Sequence, residues 1–426
     1  MFLFIYNIFI RVFYLGVRIA GTWNPKARLW WRGRRNLFSA LQEAFRGNTR
    51  SVVWMHCASL GEFEQGRFLL ENIRIRFPET RILLTFFSSS GYEPMKNYKG
   101  ADDIFYLPLP TKKFSEKFIS ITNPALVLWI KYDYWYHYLQ ELSNRKTPLL
   151  LVSAIFQRHH PFFKWYSPLY KKMLRCFTWL FVQTPESATR LKVIGFSGNI
   201  TVNGDTRFDR VIDIAENFID LPVIREFCGA NKVIVAGSTW SDDEEALAHY
   251  ANENVHTKFI IAPHETDDKH LAEISKLFRS SVRYSDLLKT AGSGQGAGKN
   301  GKPVNTLVID NIGMLSRLYY YATVTYVGGG FGDDGVHNVL EAAVYGKPVV
   351  FGPVFNKFRE AIDLLEEGAA TTVDNAIELE TTFNDLLNKQ EDYTERCEAA
   401  KNYVYSRKGA TWNIMNYIQE NRLLTS

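Results

Sequence analysis

Cysteine is scarce. The 426 residues hold four, Cys57, Cys176, Cys228 and Cys397, with no C-x-x-C pair and no histidine at zinc-ligand spacing. A structural zinc site is thereby excluded, and reduced thiols of a cytoplasmic compartment are the simple reading. D-x-D is missing altogether, so nothing supplies the paired carboxylates that hold a diphosphate through a divalent metal. Neither a metal nor a cofactor is expected. Acidic residues are nearly missing from the start of the chain: residues 1–50 contain nine Lys or Arg and a single acid, Glu43. Disorder is excluded by composition, because 46% of residues are hydrophobic and only 22% charged. The length exceeds one ordinary core and fits two domains of roughly 200 residues.

The first twenty residues are rich in Phe, Ile, Leu and Val. Asn7, Arg11, Tyr14 and Arg18 recur every three or four positions, which stacks them on one stripe of a helix and leaves the rest apolar. An arginine at the centre of a spanning helix costs about 2.5–3.5 kcal/mol, so two in one short span favour a helix lying in the membrane interface. Arg11 also splits the apolar run that a signal peptide needs. The next stretch, Lys26 to Arg35, is basic and aromatic; Trp30 and Trp31 suit the membrane–water boundary, and the cations suit anionic lipid. An ordinary buried helix is the alternative. No nucleic-acid partner is expected, since no recognition motif follows the basic stretch.

From Ser51 onward, short β-rich runs alternate with longer helical patterns. The runs are Val52–Cys57, Ile82–Phe87, Ile104–Leu107, Ala125–Ile130, Leu149–Ser153, Trp179–Val182 and Ile200–Val202. The alternation restarts at Lys232–Ala236 and continues through Phe259–Ala262, Thr306–Ile309, Thr323–Val327, Pro348–Phe351 and Ala370–Val373. This pattern predicts an α/β protein of two Rossmann-like domains, with ligands in a cleft at the carboxyl ends of the strands. Expected boundaries are 1–35 for the membrane-associated segment, 36–210 for the first domain, 211–230 for a linker, 231–410 for the second domain and 411–426 for a helix returning to the first. Thr290–Pro303 is rich in Gly but fails the phosphate-loop pattern, because Lys299 is followed by Asn300; it reads as a surface insertion.

Three motifs can carry chemistry. In His56–Glu62, a buried strand ends in a Gly-containing turn that leads into a helix and presents Glu62. A carboxylate there complements the helix dipole, either as a general base or as a helix-start residue with no other role. In Val327–Gly332, consecutive glycines follow an apolar strand, and a helix beginning near His337 would offer its N–H groups to an anion. Asn338 and Glu341, three residues apart, share a face and suit the hydroxyls of a ribose. Gly237-Ser238-Thr239 suits one phosphate or, equally, a helix cap.

These motifs, in this order, resemble those of the 3-deoxy-D-manno-octulosonic acid (Kdo) transferases. The resemblance covers nearly the whole chain: H-x-x-S-x-G-E at His56–Glu62, Y-L-P-L at Tyr106–Leu109, V-Q-T-P-E at Val182–Glu186 and G-x-x-R-F-D at Gly204–Asp209. It continues through G-S-T at Gly237–Thr239, I-D-x-x-G-x-L at Ile309–Leu315, and V-G-G followed by G-x-H-N-x-x-E up to Glu341. It implies a GT-B fold, a CMP-Kdo donor and a lipid A precursor as acceptor. It also implies inversion without a metal, and a location on the cytoplasmic side of the inner membrane. Acceptor binding would fall to the first domain and CMP binding to the second. Glu62 falls at the family's proton acceptor; Ser238, Pro263, His264, Ile312, Gly313, Met314, Asn338, Val339, Leu340 and Glu341 fall in its CMP-sugar site. The sequence departs from the family in three places. Lys131 stands where a carboxylate is usual, leaving Asp133 as the nearby acid. Arg207 replaces a lysine, and Pro263-His264-Glu265 lacks the usual arginine.

Overall fold

The computed structural model describes residues 1–131, 133–164, 167–290 and 304–424. Tyr132 and all but the first residue of the Thr290–Pro303 insertion lie outside the described residues. The chain divides into two compact units, Met1–Asp209 with Gly409–Ser426, and Arg210–Lys408.

The first unit is built on a parallel seven-stranded sheet: β1 (Val52–Cys57), β2 (Arg81–Phe86), β3 (Asp103–Tyr106), β4 (Leu126–Ile130), β5 (Leu149–Ala154), β6 (Trp179–Val182) and β7 (Ile200–Val202). Their order is β3-β2-β1-β4-β5-β6-β7. Every residue of β1 is buried, because side chains alternate between two covered faces. Val52 and Trp54 enter one apolar core with Trp129 and Leu151. Val53, Met55 and Cys57 enter the other with Phe63, Leu84 and Val152.

The helix Ala410–Glu420 adds Ile414, Met415 and Ile418 to that second core. Asp209 fastens its start, accepting the backbone N–H groups of Gly409 and Thr411 at 2.5 Å each. The Asn203 side-chain amide donates to the Ala410 carbonyl at 2.8 Å.

The helix Phe2–Ala20 is long and apolar enough to cross a membrane. One face rests on the first unit: Ile10 is buried, His137 Nε2 and Asn7 Oδ1 lie 2.7 Å apart, and Phe13 stacks on Phe87 with centroids 6.1 Å apart. Asn7 and Tyr14, expected on one polar stripe with Arg11 and Arg18, are partly buried while the two arginines are exposed. Phe4, Ile5, Ile8, Phe9, Val12, Leu15 and Ile19 are exposed as well.

The basic aromatic stretch departs from its expected headgroup role in part. Trp30 is buried, and the Arg34 guanidinium lies 3.8 Å from its ring centre while donating to the carbonyls of Phe87 at 2.7 Å and Leu107 at 2.8 Å. Burial pushes the Arg34 guanidinium down to about 9. Trp30 and Arg34 therefore belong to the core of the unit. Trp31 is partly buried and Arg35 exposed, with 4.1 Å from ring centre to cation.

The second unit repeats the plan with β8 (Val233–Thr239), β9 (Lys258–Pro263), β10 (Ser281–Arg283), β11 (Thr306–Val308), β12 (Val324–Val327), β13 (Val349–Phe351) and β14 (Ala370–Thr372). All are parallel, in the order β10-β11-β9-β8-β12-β13-β14. The expected linker 211–230 is instead folded. It holds the end of the helix Thr206–Glu216 and the helix Pro222–Cys228. Phe218 stacks on Tyr320 at 4.0 Å, and the Leu221 N–H donates to the Tyr321 hydroxyl at 2.6 Å, so these residues are fixed to the second unit.

Candidate active site

Strand order changes direction between β1 and β4 in the first unit and between β8 and β12 in the second. Ligands of open parallel sheets bind beyond the carboxyl ends of the strands at such a switch. His56 and Cys57 end β1 and Ala58–Glu62 follows it, and Lys131 follows β4; Ser238 and Thr239 end β8, Trp240 follows it, and the glycine run follows β12.

In the first unit, Ser59 is the N-cap of the helix Leu60–Arg76, and Glu62 lies in its first turn. The Ser59 hydroxyl makes no bond to the helix backbone and donates instead to Glu62 Oε2. The helix reaches the sheet closely because residue 66 is glycine; a Cβ there would stand 2.8 Å from Met55 Sδ and 3.0 Å from Ile130. Lys131 adopts φ +56°, in the left-handed region, and turns the chain leaving β4 so that Asp133 comes back over β1. Asp133 Oδ2 accepts from Trp135 Nε1 at 3.2 Å and lies 3.6 Å from His56 Nε2. Burial pushes the Cys57 thiol up, and Glu62 and Asp133 push it further.

Arg207 is held by Asp205, which accepts its Nε at 2.9 Å, its NH2 at 2.8 Å and its backbone N–H at 2.9 Å. Burial pushes the Asp205 carboxyl up, but Arg207 and then Lys131 outweigh that and hold it below the usual carboxylate range. Asp205 was missing from the sequence-based candidates. Its place in G-D-T-R-F-D, two residues before the cation, was the available signal. Asp209 of the same motif caps the returning helix.

In the second unit, Ser238 adopts φ +53°. Thr239 donates its hydroxyl to the buried Glu244 at 2.9 Å, and Glu244 also meets His270 Nε2 at 3.1 Å. Thr239 is therefore committed inside the fold, and only Ser238 of the pair is partly exposed. The glycine run packs backbone against backbone. A Cβ on Gly328 would stand 2.4 Å from the Ser238 carbonyl oxygen, and one on Gly330 2.6 Å from the Gly352 nitrogen. Asp243 fixes the run, accepting from Gly329 N at 2.8 Å, Trp240 N at 2.9 Å and the Tyr326 hydroxyl at 2.6 Å.

Beside it, sequence reasoning missed an aromatic stack. Trp240 and His264 stack with centroids 4.6 Å apart, His264 and His337 at 4.7 Å, and Trp240 Nε1 donates to His337 Nε2 at 3.0 Å. Burial, then the neighbouring His264, push His337 down to about 4, so it is a neutral acceptor at neutral pH.

The helix expected from His337 begins only at Leu340 and runs four residues to Ala343. Gly328 and Val354 take the backbone near it into pairings with His337 and Val336, which holds residues 336–338 out of helical geometry. Asn338 and Glu341 do meet, the amide donating to Oε1 at 3.0 Å. Val339 and Leu340 are fully buried, side chain and backbone alike. Pro263 ends β9, and the His264 N–H donates to the Thr239 carbonyl at 2.9 Å. Met314 is buried, whereas Ile312 is 87% exposed and Gly313 adopts φ +101°. This loop follows β11, two strands away from β8. Among the described residues, no group of three or more His, Cys, Asp or Glu could hold a metal ion.

The fold is shared with a UDP-GlcNAc 2-epimerase from Neisseria meningitidis bound to UDP-GlcNAc, at 15% identity and a TM-score of 0.59 over 87% of this chain and 100% of that one. Two Rossmann-like units, each a parallel seven-stranded sheet whose strand order reverses at one point, are the plan of the GT-B class. Residues 31–210 match the family profile of the 3-deoxy-D-manno-octulosonic-acid transferases (kdotransferases). A 3-deoxy-D-manno-octulosonic acid transferase of Rickettsia typhi is 27% identical over 351 residues, 80% of this chain and 73% of that protein. A bifunctional glycosyltransferase/methyltransferase of Fusobacterium nucleatum is 24% identical over 383 residues; the match spans 87% of this chain but only 55% of that longer protein. The likeness to the Kdo transferases thus covers residues 31–210 by the family profile and 80% of the chain by a relative at 27% identity.

Proposed function

We propose that the protein transfers Kdo from CMP-Kdo to a hydroxyl of a lipid A precursor (lipid IVA), with inversion and without a metal, at the cytoplasmic face of the inner membrane. The observation that carries this reading is Glu62, set in the first helical turn at the β1–β4 switch and held through Oε2 by Ser59. A carboxylate held in this way takes the proton of the acceptor hydroxyl as it attacks the anomeric carbon, and CMP leaves. Lys131 and Arg207 supply positive charge for the sugar acid's carboxylate or the departing phosphate. Asp133 is the second acid beside the reacting carbon.

In the second unit, Asn338 and Glu341 read the ribose hydroxyls of CMP. Ser238, Pro263, His264 and the Ile312-Gly313-Met314 loop hold the rest of the donor, and the buried Val339 and Leu340 support Asn338 and Glu341 from within the fold. The exposed apolar face of Phe2–Ala20, with Arg11 and Arg18 beside it, keeps the enzyme on the membrane that carries its acceptor.

Calorimetric titration of the purified chain with CMP, UDP and UMP tests the donor class. CMP is expected to bind tightest, and preferential binding of UDP would replace this reading with transfer from a UDP-sugar.

A further inference from the structure

His56 is fully buried on β1, and its Nε2 has no hydrogen-bond partner. A buried polar atom left in that state needs a reason. The surroundings supply one. In the parallel register His56 lies opposite Thr85 on β2 and Trp129 on β4. Trp54 Nε1 donates to Thr85 Oγ1 at 2.8 Å, and Thr85 Oγ1 lies 2.9 Å from His56 Nδ1. Indole is a donor only, so Thr85 accepts from Trp54 and keeps its own hydrogen, for which Nδ1 is an acceptor within reach. The imidazole proton then sits on Nε2, the atom that faces Asp133 Oδ2 at 3.6 Å. The opposite tautomer would set a bare nitrogen lone pair against a carboxylate in a buried site and leave the Thr85 hydrogen without a use.

We infer that His56 is a positioning residue. Through the relay Trp54–Thr85–His56, the Nε2–H fixes the Asp133 carboxylate at the β1–β4 switch, and the contact shortens to a hydrogen bond when substrate fills the site. Trp135 Nε1 steadies the same oxygen at 3.2 Å, and the Trp129 Nε1 donates to the Asp133 backbone carbonyl. Asp133 is thereby aimed even though it stands on an irregular segment behind a left-handed residue. The inference rests on the proposed transfer reaction only for its kinetic consequence.

Kinetics and spectroscopy of the full chain test it together. His56→Leu is expected to lower kcat about 10- to 100-fold, the worth of one charge-assisted hydrogen bond in the transition state, with little change in the KM for donor. His56→Gln, which keeps a donor, should recover most of that loss. Adding His56→Leu to Asp133→Asn should cost nothing further, whereas a merely structural histidine would multiply the two losses. Unchanged kcat in His56→Leu, or multiplicative losses, would overturn the assignment. If His56→Leu does not fold, Thr85→Val removes the proton that sets the tautomer and should lower kcat in the same direction; an unchanged rate overturns the relay. Nitrogen-15 spectra of labelled histidine read the tautomer without turnover. The Nε2–H form is expected in wild type, with its resonance displaced in Asp133→Asn. A Nδ1–H form would refute the inference, whatever sugar the enzyme transfers.

Discussion

Asp209 lies in the G-x-x-R-F-D motif, yet its carboxylate does the work of a helix cap. It accepts the N–H groups of Gly409 and Thr411, about two hundred positions further along, at 2.5 Å each. Gly409 adopts φ +112°, and the helix that begins after it places Ile414, Met415 and Ile418 in the core against Phe63 and Leu69. Replacing a helix cap by alanine costs about 0.5–2 kcal/mol, and bonds to an ionised acceptor are about twice as strong as neutral ones. Asp209→Ala should therefore destabilise the first unit by roughly 2–3 kcal/mol. A unit of this size melts about 2–4 °C lower for each kcal/mol, so a fall of about 4–12 °C is expected. Asp209→Asn keeps an acceptor without the charge and should lose about half as much. Thermal melts give the total, and hydrogen exchange of the amides in Ala410–Glu420 localises it, because loss of the cap frees that helix first. Melting within about 1 °C of wild type, with unchanged exchange in that helix, would refute the capping role.

Three further outcomes follow from the geometry. Gly328→Ala should destabilise the second unit by about 2–3 kcal/mol in urea unfolding, since its Cβ would meet the Ser238 carbonyl oxygen at 2.4 Å, whereas Gly332→Ala, with 3.7 Å to its nearest neighbour, should change little. His337, pushed down to about 4 in the fold against about 6.5 when unfolded, takes a proton in the unfolded chain first. Its contribution is present above about pH 6.5 and is lost as pH falls toward 4. Roughly 2–4 kcal/mol is at stake, and urea titrations of His337→Gln should show a flatter slope across that window. Removing residues 1–22 should reduce flotation with anionic vesicles more than turnover of a detergent-solubilised acceptor; equal loss of both would mean that the helix is simply part of the core.

The strands were legible because a sheet covered on both faces demands unbroken apolar runs such as Val52–Cys57 and Leu126–Ile130, which little else produces. β10 escaped because Ser281–Arg283 is short and only half-buried. The helices at 211–230 escaped because their stability comes from partners distant in sequence, Tyr320 and Tyr321. Glu62, Asn338 and Glu341 stand on spacings that a sequence displays. By contrast, Asp205 with Arg207, His56 with Asp133, and the stack of Trp240, His264 and His337 depend on side-chain pairings set by the fold and on left-handed residues that are not glycine, namely Lys131 and Ser238. No local propensity announces these.

Glu62 is the proposed base of a Kdo transfer. The measurement that tests it most directly is an assay of the purified full chain with CMP-Kdo and a tetraacylated lipid A precursor, reading product mass for wild type and Glu62→Gln under the same conditions. Wild type should add one or more Kdo residues, and the variant, folded as judged by its melt, should lose about 10²-fold or more of the rate. No mass gain with wild type, or a near-normal rate with Glu62→Gln, would contradict the account.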